Sequence, residues 1–251
     1  MKITFLGTGT SMGVPVAGGF SRNGISTDPR DQRYRCSIWV QTPETSIVVD
    51  SGPEFRLQTL RSGITKIDAL MITHEHTDHI AGIDDLRPYC YAQNGAIPTY
   101  TSNQVVEAIK TRFHYMFEPG KTPGSVDLDF HVIENEIKLS DCTITPLPVK
   151  HGTMDILGFR FNDFAYVTDT NFIPEETREL LAGVKVLVLS GLRWNSHPTH
   201  FTIGEAAEIA AELGVPKTYL THLSPQVRHE EAESRLPESV RLAFDQLEIN
   251  I

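Results

Sequence analysis

Cysteine is scarce in this sequence: its 251 residues include three, Cys36, Cys90 and Cys142, far apart and odd in number. That pattern excludes a disulfide framework and a CxxC metal site, and it fits a reducing cytoplasm. Positive charge is short as well. The 22 Lys and Arg residues face 32 Asp and Glu, giving a net charge of −10, which works against long polyanions because nucleic-acid binding depends on basic surface and counterion release. No stretch approaches the roughly 18 to 20 apolar residues of a membrane span, and the opening MKITFLGTG runs into a β-like segment with no long apolar leader region. The chain is therefore expected to be soluble and cytoplasmic, with neither a membrane nor extended nucleic acid as a partner. A small anionic substrate stays compatible if a metal neutralises it locally. Low-complexity linkers, charge blocks and short repeats are also lacking, so residues 1–251 are expected to form one domain.

What is present is a regular alternation. β-like runs occur at KITFL, CSIWVQ (36–41), SIVVD (46–50), ALMIT, TITPLPV (143–149), FAYVTD (164–169), VKVLVLS (184–190) and KTYLT (217–221). Helix-like segments lie between them at 54–62, 103–116, 174–181 and 202–213, the last opening with the capping box formed by Thr202 and Glu205. Such alternation implies helices packed over sheets, an α/β class, whose sites collect where strands end.

One strand end is crowded. THEHTDHIAG (73–82) places His74, His76, Asp78 and His79 within six residues, directly after the apolar run DALMI. A lone histidine after a strand is usually a satisfied core or surface residue; this grouping is not. In extended backbone His74 and His76 point the same way because the side-chain period is two, so both can reach one ion. Asp78 and His79 follow as the chain turns, and can aim at a second ion beside it. Histidine with carboxylate and no thiolate suits zinc, manganese or iron. Other strand ends offer His151, just past TITPLPV, then Asp169 and His222.

The ordered set His74, His76, Asp78, His79, His151, Asp169 and His222 resembles that of the metallo-β-lactamase-fold hydrolases, over nearly the whole chain. The resemblance implies a four-layer αβ/βα sandwich with the site at one sheet edge. It also implies two divalent ions per chain, zinc or manganese with iron possible: His74, His76 and His151 on one, Asp78, His79 and His222 on the other, and Asp169 bridging. FLGTGTSMGVP (5–15), DSGPEFR (50–56) and SHPTHFTIGEA (196–206) are similar to the phosphodiesterase branch, which includes tRNA 3′-processing nucleases and the cyclic phosphodiesterase of phosphonate degradation. That branch has a catalytic histidine in the form His-x-Thr-x-x-Glu-Ala, matched at His200 and not at His197. His200 and Asp78 are accordingly the expected catalytic residues, His200 as a general acid with a pKa near neutrality.

Other residues carry plainer readings. Asp50 is expected to be a structural hydrogen-bonding group, and GTGTS a turn. Arg33, Arg35 and Arg193 are expected as solvated arginines, His114 as part of an amphipathic core helix, and Asp84 and Asp85 as a solvated helix face. His131 and His229 have no supporting pattern. Relatives carry a cysteine cluster after GVP that binds a structural zinc; residues 16–24 contain no cysteine, and Pro225 follows THLS, so no such zinc is expected. The long basic arm of the tRNA-processing relatives is missing too. The expected partner is a small phosphodiester, with a homodimer possible. Hydrolysis of a lactone or thioester on the same scaffold, and a non-catalytic metal-binding protein, remain the alternatives, because fold does not fix substrate.

Overall fold

In the computed structural model, residues 1–20, 24–118 and 124–251 are described. Sheet one is built from β1 (Lys2–Gly7), β2 (Ser37–Gln41), β3 (Ser46–Val49), β4 (Ala69–Met71), β5 (Ile97–Thr101) and β6 (Leu128–Val132). Sheet two is built from β7 (Ile137–Leu139), β8 (Cys142–His151), β9 (Met154–Phe161), β10 (Phe164–Val167), β11 (Val186–Ser190), β12 (Lys217–Thr221) and β13 (Val240–Leu242), after which β14 (Glu248–Asn250) returns to pair with β1. The orders are β14-β1-β2-β3-β4-β5-β6 and β13-β12-β11-β10-β9-β8-β7. β3 to β6 run parallel, as do β10 to β13, and the remaining pairs are antiparallel.

Strand alternation decides the layers. Ile3, Phe5, Ile47, Val49, Ala69 and Met71 of sheet one meet Ile144, Phe159, Phe161 and Val188 of sheet two in one core between the sheets. Their neighbours Leu6, Val48 and Leu70 point the other way, toward the helical layer that holds α1 (Phe55–Ser62), α2 (Thr77–Ile80), α3 (Arg87–Gln93) and α4 (Asn103–Arg112). On sheet two, Leu187 and Leu189 face α5 (Glu175–Leu180), α6 (Ile203–Glu212) and α7 (His229–Glu233) across a third core containing Ile203, Ala206 and Ala232. Helix, sheet, sheet, helix is the expected αβ/βα sandwich. Losing one fully buried ring such as Phe159 costs about 3 to 5 kcal/mol.

Several local expectations shift. The helix expected over 103–116 ends at Arg112, because Phe113 leaves helical geometry (φ −112°, ψ 37°) and a short 3-10 turn follows at 114–116. That turn leaves His114 exposed rather than in the core. His151 is the last residue of its strand, not past it, since β9 extends the antiparallel ladder to His151↔Met154. β9 escapes sequence reading because Gly158 interrupts its run; a Cβ there would lie 2.8 Å from the Tyr166 carbonyl oxygen. The Thr202–Glu205 capping box forms in both directions, at 3.1 Å and 2.7 Å. Arg33 is not a solvated arginine: it is buried in an ion pair with Asp31 at 2.6 Å. Within loop 16–24, residues 21–23 lie outside the described residues.

Asp245 ties β1's exit to the loop before β2. Its carboxylate accepts from Thr8 Oγ1 at 2.8 Å and from the Tyr34 backbone N–H at 2.7 Å. Burial pushes this carboxyl up to about 7, against the opposing pull of those two donors. The folded chain therefore holds the proton more tightly than the unfolded chain, whose carboxyl titrates near 3.8, and stability falls as pH rises through that window. Asp245→Asn retains both contacts, with the amide oxygen accepting from Tyr34 and the amide NH₂ donating to the Thr8 hydroxyl. Thermal melts from about pH 4 to about pH 8 should show the wild type losing up to a few kcal/mol relative to Asp245→Asn. Parallel curves would show that burial does not govern this group.

Candidate metal centre

Strand ends from both sheets feed one place. After β4 the chain runs through Thr73 to His74 and His76, then winds into α2, whose first turn carries Asp78 and His79. His151 ends β8, while Asp169 and His222 lie just beyond β10 and β12. Asp169, His222 and Asp50 have φ of 55°, 58° and 62°. A left-handed backbone is costly for residues with a Cβ, and such strain collects at functional sites. The α2 turn is docked by backbone: Ser51 N–H donates to the His79 carbonyl at 2.8 Å and Gly82 N–H to the Ser51 carbonyl at 2.7 Å. A Cβ at Gly52 would lie 2.2 Å from the Asp78 carbonyl oxygen, so only glycine allows that approach.

The sequence-expected ligands are brought together in two groups. His74, His76 and His151 form one, and Asp78, His79, Asp169 and His222 the other; within each, the ligand atoms lie within 4.8 Å of one another. Asp169 faces both. Its Oδ2 is 3.4 Å from His79 Nε2 and 3.9 Å from His74 Nε2, and its Oδ1 is 2.8 Å from His222 Nδ1.

Contacts on the outer ring nitrogens decide which nitrogens face inward. His79 Nδ1 donates to Asp50 Oδ2 at 2.7 Å, and the Asp50 carboxylate also accepts from Thr73 N–H and Oγ1. Thr73 Oγ1 lies 3.0 Å from His74 Nδ1, and His151 Nδ1 donates to the Thr199 carbonyl at 2.9 Å. These pairings leave Nε2 of His74, His79 and His151 directed at the centre. His79 Nε2 and His222 Nδ1 are buried without a hydrogen-bond partner among the described residues, although carboxylate oxygens lie 2.8 to 3.4 Å away. Misaligned for hydrogen bonding and yet adjacent, such atoms suit lone pairs aimed at a shared third point, as around a cation. Imidazole nitrogens and carboxylate oxygens are a fitting set for zinc, manganese or iron.

The electrostatics follow from burial and pairing. Burial, then the neighbouring His79, takes His74 well below the ordinary imidazole value. Burial presses on His79 and His222 in the same direction, but their partners together outweigh it: Asp169, Asp78 and Asp50 raise His79 well above that value, and Asp169 with Cys36 raises His222 to about 10. The same contacts hold Asp169 well below the usual carboxylate range despite its burial. Protons on His79 and His222 thus stand where cationic charge is wanted, and metal uptake must displace them.

His200 lies on the loop before α6 with its ring 4.6 Å from that of His151 and stacked 4.8 Å from that of His222. Its Nδ1 is buried and without a hydrogen-bond partner among the described residues. The expected near-neutral pKa is corrected here: burial, then His222, lowers it to about 3. His197 sits one step outward, 5.0 Å from His200, and accepts from the Thr199 hydroxyl at 3.2 Å. Sequence reasoning missed Thr10, whose Oγ1 is 3.3 Å from His222 Nε2, and the supporting roles of Thr73 and the Thr199 carbonyl. A threonine or a carbonyl leaves no distinctive mark in a sequence. Arg35 is not free either, since it pairs with Glu54.

Comparison with known proteins agrees with this geometry. A solved structure described as a new diphosphatase from the PhnP family aligns with a TM-score of 0.92 at 38% identity, covering 100% of this chain and 97% of that one. A ribonuclease Z from Methanopyrus kandleri is 24% identical over 276 residues, covering 86% of this chain and 88% of that protein. An octanoyltransferase from Porphyromonas gingivalis is 36% identical over 253 residues, covering 99% of this chain and 51% of that protein, so the chain spans about half its length. Residues 45–223 match the family described as beta-lactamase superfamily domain, and the chain belongs to the beta-lactamase superfamily, with the fold and the histidine–aspartate cluster of a metal-dependent hydrolase.

Proposed function

We propose that this protein is a phosphodiesterase that hydrolyses small cyclic or nucleotide phosphodiesters, using two divalent ions. His74, His76 and His151 would hold one ion and Asp78, His79 and His222 the other, with Asp169 between the two groups. The observation that carries this reading is the position of Asp169, within reach of both histidine groups, with the His200 ring beside the same seam. The names diphosphatase and ribonuclease Z, borne by two of the relatives, both denote cleavage of phosphorus–oxygen bonds. The octanoyltransferase match leaves about half of that protein outside the comparison, so acyl transfer gains little from it. A single catalytic domain acting in the cytoplasm belongs to the same proposal. Among the described residues no helix is long and apolar enough to cross a membrane.

When bound, two such cations lower the pKa of an attacking water and offset the charge that builds on the phosphoryl oxygens. Asp50 and Thr73 keep His79 and His74 in the tautomers that face the centre. Asp169 and Asp78 supply the negative charge that draws cations into a buried site. His200 gives a proton to the departing oxygen. Its depressed pKa belongs to surroundings without substrate; an anionic phosphoryl group beside the ring favours the protonated form and opposes the burial and neighbouring positive charge that lower it.

Metal analysis after gentle purification should approach two equivalents per chain, and His222→Ala should lower it toward one. A plateau near one that His222→Ala leaves unchanged would remove the second ion from the mechanism.

His200→Ala should slow hydrolysis of a 2′,3′-cyclic nucleotide, which loses a basic alkoxide, by roughly 10²- to 10⁴-fold. The loss on bis-p-nitrophenyl phosphate should be clearly smaller, because p-nitrophenolate needs little protonation. Because the ligand atoms of His151, Asp169 and His200 also lie within 4.8 Å of one another, metal content is measured in the same samples. A drop in metal with equal losses on both substrates would make His200 a ligand instead of an acid. Faster turnover of a lactone or thioester than of either diester would favour the other hydrolase chemistry.

A further inference from the structure

A groove of about 700 Å³ opens beside His200, within the usual size range of small-molecule sites. One wall is the loop after β1, with Met12, Val16 and Phe20; the other is Leu192 and Arg193 beyond β11, with Pro225 beyond β12. Thr10 joins the groove to the metal centre, since it lines the groove and its hydroxyl lies against His222.

Two features of this groove are unexplained by packing. Phe20 is 87% exposed and Met12 60%, although both are large apolar side chains. The Phe20 ring nonetheless has a defined seat: it lies against the backbone of Gly18, where a Cβ would come within 2.3 Å of its edge. Across the groove, Arg193 is held by carbonyls rather than by a carboxylate, its Nε donating to Asn195 at 3.2 Å and its Nη2 to Ser196 at 3.0 Å. That leaves its positive charge in place, in the wall opposite Met12, Val16 and Phe20 and next to a site for an anion. The rim also carries hydrogen-bonding side chains, Ser11 and Gln226.

We propose that this groove binds the nucleobase of a nucleoside phosphodiester, with the base stacked on Phe20 and the phosphodiester reaching past Thr10 to the metal centre. The proposal rests on the phosphodiesterase reading and narrows its substrate class. A flat heteroaromatic ring uses everything present: a π face for Phe20 and the Met12 thioether, a π face for the Arg193 guanidinium, and polar edges for Ser11 and Gln226. An alkyl ester would offer no π face to the Arg193 guanidinium and no polar edge to the rim. Stacking tolerates any base, so the groove selects for a nucleoside over a bare sugar or alkyl group more than for one base over another.

Two diesters with the same leaving group test this directly: thymidine 5′-(p-nitrophenyl phosphate) and methyl p-nitrophenyl phosphate. The metal-loaded protein should favour the thymidine ester in kcat/KM by roughly tenfold or more, and Phe20→Ala should remove most of that preference through KM, a loss of roughly 5- to 100-fold. Phe20→Trp should restore it, and the loss on the methyl ester should be much smaller. An unchanged preference in Phe20→Ala, or equal kcat/KM for the two esters in the wild type, would overturn the proposal. Failure to hydrolyse either ester would instead count against the phosphodiesterase reading. Calorimetry then judges the groove independently of turnover: thymidine 5′-monophosphate should bind more tightly than ribose 5-phosphate, and Phe20→Ala should abolish the difference. Equal affinities in the wild type would rule the nucleobase site out.

Discussion

A carboxylate with almost no access to solvent, set between imidazoles, is the constraint around which this protein is arranged. Asp169 is 2% exposed, and His74 and His79 are 0% exposed. Charge buried to that degree is costly unless it is paired and hydrogen-bonded. The surroundings supply that pairing in a definite order: Asp169 against His79 and His222, Asp50 behind His79, Thr73 behind Asp50. Every member fixes the direction of the next. The result is a concave set of ligand atoms in which His79 Nε2 and His222 Nδ1 have no hydrogen-bond partner among the described residues, an arrangement suited to taking up cations.

Such a centre needs rigid walls, and the two sheets provide them. Parallel strands carry their C-terminal ends to the same edge, so β3, β4, β10, β11 and β12 all release their chains there. A hydrogen bond of 3.0 Å from Leu157 N–H on β9 to the Thr73 carbonyl links sheet two to the ligand-bearing segment of sheet one. The tight packing between sheets therefore sets ligand spacing directly. The segments that form the groove beside His200 follow β1, β11 and β12, and β1 runs in the same direction as β3, so groove and centre share one frame.

Much of this was legible in the residues themselves. His74, His76, Asp78 and His79 announce a ligand cluster because no packing requirement puts four such side chains into six positions. The capping box at Thr202 and Glu205 is equally local, since both partners lie on one turn. Strands with a strong apolar run were readable for the same reason. Those that were not, such as β9 with Gly158 and β5 with Pro98, exist because a neighbouring strand completes their ladder.

By itself the sequence determined the inventory: the α/β alternation, the ligand types, and their placement at strand ends. Tertiary structure alone decided which of them meet. His151 and His222 are 71 residues apart in sequence, and only sheet order puts both beside His200. The same holds for the tautomers, which depend on a carbonyl at Thr199 and a carboxylate at Asp50, and for the pKa of His200, which burial moved away from the value its residue type suggests. Local propensity acts through neighbours along the chain, whereas ligand geometry, tautomer and charge state are set by neighbours in space, and those exist only once the two sheets have closed on each other.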